Sequence, residues 1–222
     1  MIKKIRDLKF IIHNMEKGMT YTELIVVLSI FSIMTSIVMF NYKSFQDKVD
    51  IKVLANDIAL KIVEAQKSAL SGKLPVQFFD SSWSPSYGIY FNTAGTVQSA
   101  DSKHFIYFTN TQNSSFYNFD DISCSLPPTV GGSGECLDWI EIKKGNSISR
   151  LDIFYQNGTS TVAPATPPND LTITFTRPNS GPTLKSTAPF TSTVSYVQIT
   201  VSSTSGITAR IKMYASGRIQ IN

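Results

Sequence analysis

Hydrophobic and polar positions change period twice along this chain. Residues 24–40 hold no charged side chain. As an α-helix, such a stretch covers roughly 26 Å, close to the hydrocarbon thickness of a bilayer. Beyond it the apolar positions step by three or four through Ile51, Leu54, Ile58, Ile62, Ala65 and Ala69. Asp47, Lys48, Lys52, Asp57, Lys61 and Lys67 fall on other faces, so this half reads as amphipathic. Asp57 and Lys61 form a helical i,i+4 pair in the favourable order. No proline precedes Pro75, and Gly72 with Pro75 supplies a C-cap and a breaker. One continuous helix is therefore expected over residues 19–71, about 80 Å long.

From residue 73 the chain turns to short β-rich runs between Ser, Asn, Gly, Thr and Pro clusters. Strands are expected at residues 76–79, 87–91, 104–108, 139–142, 148–155, 171–176, 194–201, 207–214 and 218–221. Two alternate clearly. Val197, Ile199 and Val201 oppose Gln198, Thr200 and Ser202, while Ile207, Ala209, Ile211 and Met213 oppose Thr208, Arg210 and Lys212. The expected fold is α+β, an antiparallel meander packed on the amphipathic half of the helix. The domain map is a leader over 1–18, an apolar half-helix over 19–42, an amphipathic half over 43–72 and a β-rich domain over 73–222.

Charge orients the apolar segment. Lys3, Lys4, Arg6, Lys9 and Lys17 outweigh Asp7 and Glu16 ahead of it, which by the positive-inside rule places the N-terminus in the cytoplasm and exports the remainder. A secretory signal would continue into small residues at a cut site, but Val38-Met39-Phe40-Asn41-Tyr42-Lys43 is bulky and polar, so the helix is expected to stay attached. Glu23 is the anomaly. A carboxylate at the margin of an apolar span costs up to ~3 kcal/mol if carried to the bilayer centre, so it calls for a partner.

The run Lys17-Gly18-Met19-Thr20-Tyr21-Thr22-Glu23, followed by the apolar stretch, resembles the class III signal of type IV pilins and type II secretion pseudopilins. The resemblance implies cleavage after Gly18 by the prepilin peptidase and methylation of the new amino terminus at Met19. It further implies storage in the inner membrane and assembly by the inner-membrane platform with other pilin or pseudopilin subunits. Glu23 would pair with the free amino group of a neighbouring subunit, giving a buried charge its partner. The chain departs from the family in having Met19 where Phe is usual and in lacking a proline within the apolar segment. The segments Trp83-Ser84-Pro85-Ser86-Tyr87-Gly88-Ile89-Tyr90-Phe91, Thr174-Phe175-Thr176-Arg177-Pro178 and Ala215-Ser216-Gly217-Arg218-Ile219 are similar to minor pilins and minor pseudopilins. The residues alone leave open a plain single-span anchor with an incidental Gly18 and Glu23.

The formal charge of +4 comes mostly from the leader, and the chain from Met19 holds 15 bases against 14 acids. That balance carries no general attraction to nucleic acid. Cys124 and Cys136, the only cysteines, enclose a Pro- and Gly-rich loop; a disulfide is expected in an exported domain, with two free thiols or a metal pair as alternatives. Neither His13 nor His104 lies near them in sequence. His13 would leave with the leader, and His104 reads as structural. No nucleophile elbow, zinc-protease helix or phosphate loop occurs, so no enzyme, cofactor or metal is expected. Asp120 with Asp121 and Asp138 with Glu141 lack a regular calcium spacing and read as solvated loop. The sequons at Asn113 and Asn157 stay unassigned.

The expected function is a non-enzymatic minor pilin or pseudopilin, with the loops over 124–136 and 156–170 presented outward. Two other classes compete. Ser216-Gly217-Arg218-Ile219-Gln220 resembles the C-terminal motif of DNA-binding minor pilins of competence pili up to its second basic position, here Gln220, which would make Arg218 a DNA contact. The other class is an anchored surface protein outside any filament.

Overall fold

In this computed structural model the described residues are 18–73, 86–94, 101–111, 117, 124, 134–162 and 166–222. They form one long helix, α1 (Tyr21–Ser71), and nine strands: β1 (Ser86–Asn92), β2 (His104–Thr109), β3 (Cys136–Glu141), β4 (Ser147–Tyr155), β5 (Asp170–Thr176), β6 (Thr183–Lys185), β7 (Val194–Ser202), β8 (Thr208–Tyr214) and β9 (Ile219–Ile221). The chain divides into two compact units, one ending at Gln46 and one running from Asp47 to Asn222. The expected strand at 76–79 and the breaker Pro75 lie outside the described residues.

In the first unit the described backbone is helical from Tyr21. Leu24, Ile25, Val26, Val27, Leu28, Ile30, Phe31, Ile33, Met34, Ile37, Val38 and Met39 are all exposed. The segment's hydroxyls turn inward on the helix: Ser29, Ser32, Thr35 and Ser36 each donate to the carbonyl four residues back, at 2.7–2.9 Å. Polar groups satisfied this way remain compatible with an apolar solvent.

In the second unit the strands make two antiparallel sheets, ordered β3-β2-β1-β5-β6 and β4-β7-β8-β9. This corrects the single meander expected above. β1-β2-β3, β5-β6 and β7-β8-β9 run as consecutive neighbours; β5 crosses back to pair with β1, Tyr87 facing Phe175 and Phe91 facing Leu171, and β4 pairs with β7. Burial explains the crossing, because every residue of β1 is buried, leaving it no edge position to occupy. Residue 88 must be glycine for the same reason: a Cβ there would stand 2.6 Å from the Ile173 carbonyl and from the Phe108 ring laid across the strand. β6, with three residues, is too short to show a period and was not expected.

The amphipathic half of α1 closes the inner faces of both sheets. Ile51, Ala55, Ile58, Ile62, Ala65 and Ala69 are buried with Tyr87, Ile89, Phe91 and Phe105 from one sheet and Leu151, Ile153, Val197, Ile199, Val201, Ile211 and Met213 from the other. The alanines let the helix approach closely while the isoleucines fill the space between. Asp47 departs from the expected solvent-facing set, because four residues before Ile51 it shares that stripe; its Oδ2 is enclosed. The helix end is pinned to the first sheet: the Tyr107 hydroxyl donates to Ser68 Oγ at 3.1 Å and the Tyr87 hydroxyl to the Lys73 carbonyl at 2.6 Å. Burial pushes the Tyr87 phenol up to about 12.

The helix stops as its sequence expects. Gly72 sits at φ +67, its N–H bonds to Ala69 O and the Lys73 N–H to Ser68 O, the two bonds of a Schellman turn. A side chain at 72 would also collide with the Arg177 guanidinium.

Truncating the stripe and truncating the opposite face should therefore differ. Ile62→Ala should cost about 2–5 kcal/mol in denaturant unfolding of the β domain. Leu60→Ala, at a residue 65% exposed, should change stability by less than about 0.5 kcal/mol. Equal losses would contradict this packing.

Candidate functional site

The residues around the expected cut are open to solvent. Gly18 is exposed, a Cβ at its position would meet nothing within 4 Å, and Met19 is 63% exposed. Nothing in the described fold demands a glycine there.

Helix α1 begins two residues later than expected, at Tyr21, because Thr20 caps it. Glu23 N–H donates to Thr20 Oγ1 at 3.3 Å, and both the Thr20 N–H and its hydroxyl donate to Glu23 Oε2 at 2.8 Å. This is a capping box, in which cap and third-position acid satisfy each other's orphan groups. The sequence carries this signal as Thr20-x-x-Glu23 ahead of an apolar run. The carboxylate also lies at the favourable end of the helix dipole. Glu23 thus has a partner within its own chain, and any pairing with a neighbour's amino group would compete with the cap.

The same helix holds an 18-residue window of mean hydropathy 2.3, none of it buried, so α1 is long and apolar enough to cross a membrane.

Cys124 and Cys136 meet with Cα atoms 4.8 Å apart, inside the range that a disulfide spans. Cys136 opens β3 and is buried with Tyr90, Ile106, Phe108 and Tyr117 in a second apolar cluster, against which Cys124 packs. Beside it Glu135 is fully buried and accepts hydrogen bonds from the Thr111 N–H at 2.9 Å and the Thr111 hydroxyl at 3.2 Å. Cys136, Cys124 and Tyr117 thus gather on the outer face of the first sheet. Most of the loop over 124–136 lies outside the described residues, as do Asp120, Asp121, Asn113 and His13.

His104 takes a structural position. Its ring stacks on Trp139 with centroids 3.9 Å apart and its Nδ1 lies 2.6 Å from Asp101 Oδ1; burial works to raise the Asp101 carboxyl, but the bonds from His104 and the Lys103 N–H together draw it down. Asp138 and Glu141, read as solvated loop, both belong to β3. Three residues apart on a strand, they point to opposite faces, and Asp138 reaches Lys61 at 3.5 Å. Among the described residues no group of three or more His, Cys, Asp or Glu side chains gathers. Asn157 sits in an exposed turn, its Oδ1 accepting from the Thr159 N–H and hydroxyl.

Arg218 follows the Gly217 turn, its guanidinium 4.0 Å from the Tyr214 ring centroid. Tyr214 stacks in turn toward Tyr196 and Phe154 across the second sheet, and Lys212 stands 5.4 Å over Tyr196. Because Ala209, Ile211 and Met213 face the core, Arg210, Lys212 and Tyr214 share the outer face. Gln220, at the expected second basic position, accepts from the Tyr214 hydroxyl at 3.1 Å.

No family model, no curated protein and no solved structure matches this chain.

The cysteine geometry sets a direct expectation. Thiol labelling of the denatured, unreduced protein should find no reactive cysteine, and replacing both cysteines with serine should cost ~2–3 kcal/mol of stability. Full labelling of both would show that they are thiols.

Proposed function

We propose that this chain is a non-enzymatic subunit, a minor pilin or pseudopilin, of a type IV pilus-like or type II secretion filament. The observation that carries the reading is the division of α1. Its first half follows the Lys17-Gly18-Met19 signal and leaves its apolar side chains exposed, while its second half is built into the core of a β domain. Unpartnered apolar surface of that extent needs another solvent or another subunit. The N-terminus stays cytoplasmic under its five leader bases. The peptidase cuts after Gly18, Met19 is methylated, and the apolar half passes from inner membrane to filament core. Glu23 then exchanges its Thr20 cap for the amino group of the next subunit.

Two results test this. Mass spectrometry of the mature protein should give Met19 as the first residue, N-methylated, whereas a chain beginning after residue 42 would overturn the reading. Thr20→Ala removes the cap but keeps the charge, costing about 1 kcal/mol of helix stability. It should enter sheared filaments nearly as well as wild type, while Glu23→Ala should be cut normally and enter at a small fraction of that level. Equal defects would assign Glu23 to capping alone.

A second reading, DNA binding, is favoured by the line of Arg210, Lys212 and Arg218 on the outer face of the second sheet, with no ion pair to any of them among the described residues. Three phosphate contacts would give a binding constant that falls with log salt at a slope of about −2.7. Arg218→Ala should reduce that slope by about 1. Binding to a duplex that ignores salt, or is unchanged in the variant, would exclude this face.

A further inference from the structure

Two grooves flank the amphipathic half of α1 within the second unit, and their chemistry differs. One, of about 200 Å³, is bordered by Asp50, Asp57 and Glu141 as well as Lys143 and Lys144, and Lys144 is already held by Asp50 at 2.7 Å. The other, of about 380 Å³, has an apolar floor of Ile51, Ile207, Ala209 and Ile221, with Lys48 and Lys52 on its helical rim and no Asp or Glu in its lining. Lys48 and Lys52 are exposed and one turn apart, so their ammonium groups can converge on a single anion. Among the described residues neither is in an ion pair, whereas Lys61, Lys144 and Arg150 are. Ile221, on the floor, is 37% exposed.

The complement of this groove is an amphiphile with one anionic group and a hydrocarbon tail. Lys48 follows residue 42 by six positions, so chain length alone keeps it within roughly 20 Å of the apolar segment's end. Phospholipid is therefore the amphiphile present at highest local concentration. We propose that the groove binds an anionic phospholipid, its phosphate between Lys48 and Lys52 and part of one acyl chain over Ile51, Ala209 and Ile221. The groove on the other flank carries three carboxylates against two lysines, one of them already paired with Asp50, and so favours an anion less. This rests on the membrane-anchored reading of α1.

The test uses the full chain in nanodiscs containing equal amounts of phosphatidylcholine and phosphatidylglycerol, followed by detergent extraction and native mass spectrometry. Wild type should retain one phosphatidylglycerol at least tenfold over phosphatidylcholine. The Lys48→Gln, Lys52→Gln double variant and Ile221→Glu should lose that preference, and Lys67→Gln, outside the groove, should keep it. Equal retention of the two lipids, an unaffected double variant, or displacement of the lipid by an acidic leucine-rich peptide at lower concentration than by phosphatidylglycerol would overturn the proposal. Entry into nanodiscs is scored separately. A chain that fails to enter contradicts both the anchoring and the groove, while one that enters without lipid preference contradicts the groove alone.

Discussion

The fold depends on one stripe of α1, from Ile51 to Ala69, set against the inner faces of two sheets at once. Each sheet brings its own apolar row to that interior, Tyr87, Ile89 and Phe91 in one and Val197, Ile199 and Val201 in the other, and the helix covers both. Small residues at 55, 59, 65 and 69 admit the close approach that larger ones would block, so the interior packs as a single core. The Schellman turn at Gly72 and the tyrosine bonds to Ser68 and Lys73 then fix where the stripe ends.

That constraint acts on the rest of the helix as well. The apolar stripe begins at Ile51, and the large apolar side chains over residues 24–39 are exposed. A helix in that condition is stable only where its backbone is satisfied internally and its hydroxyls are returned to the helix, as Ser29, Ser32, Thr35 and Ser36 are. The filament reading takes the exposed half as a surface meant for other helices. The capping box at Thr20 gives Glu23 a partner within the chain, and on the proposed filament reading the same acid then serves the assembled subunit.

Much of this was legible from residue order. The helix and its stop followed from the 3.6-residue period and from Gly72, and eight of the nine strands from runs of β-formers, because those signals are local. Sheet partnership was not, since the pairing of β1 with β5 joins residues more than 75 positions apart and is decided by burial on both faces of β1. Alternation identifies a strand but not its neighbour. The box at Thr20 is legible as Thr20-x-x-Glu23, but an acid beside an apolar run carries two physical meanings, a charge at a bilayer margin and a cap at a helix end, and only the geometry shows the second. The groove beside Lys48 and Lys52 could not be read from sequence, because its floor joins Ile51 to Ile207, Ala209 and Ile221, more than 150 positions away; the sequence marked Lys61 as having a carboxylate nearby, and packing adds Asp138 to it.

The central claim is that the exposed half of α1 is an assembly surface. Immunogold labelling of sheared surface filaments, with antibody raised against the β domain, addresses it most directly. The account predicts gold on the fibres, with labelling lost in a strain whose chain carries Glu23→Ala. Gold confined to membrane fragments, with none on fibres that are otherwise intact, would contradict it.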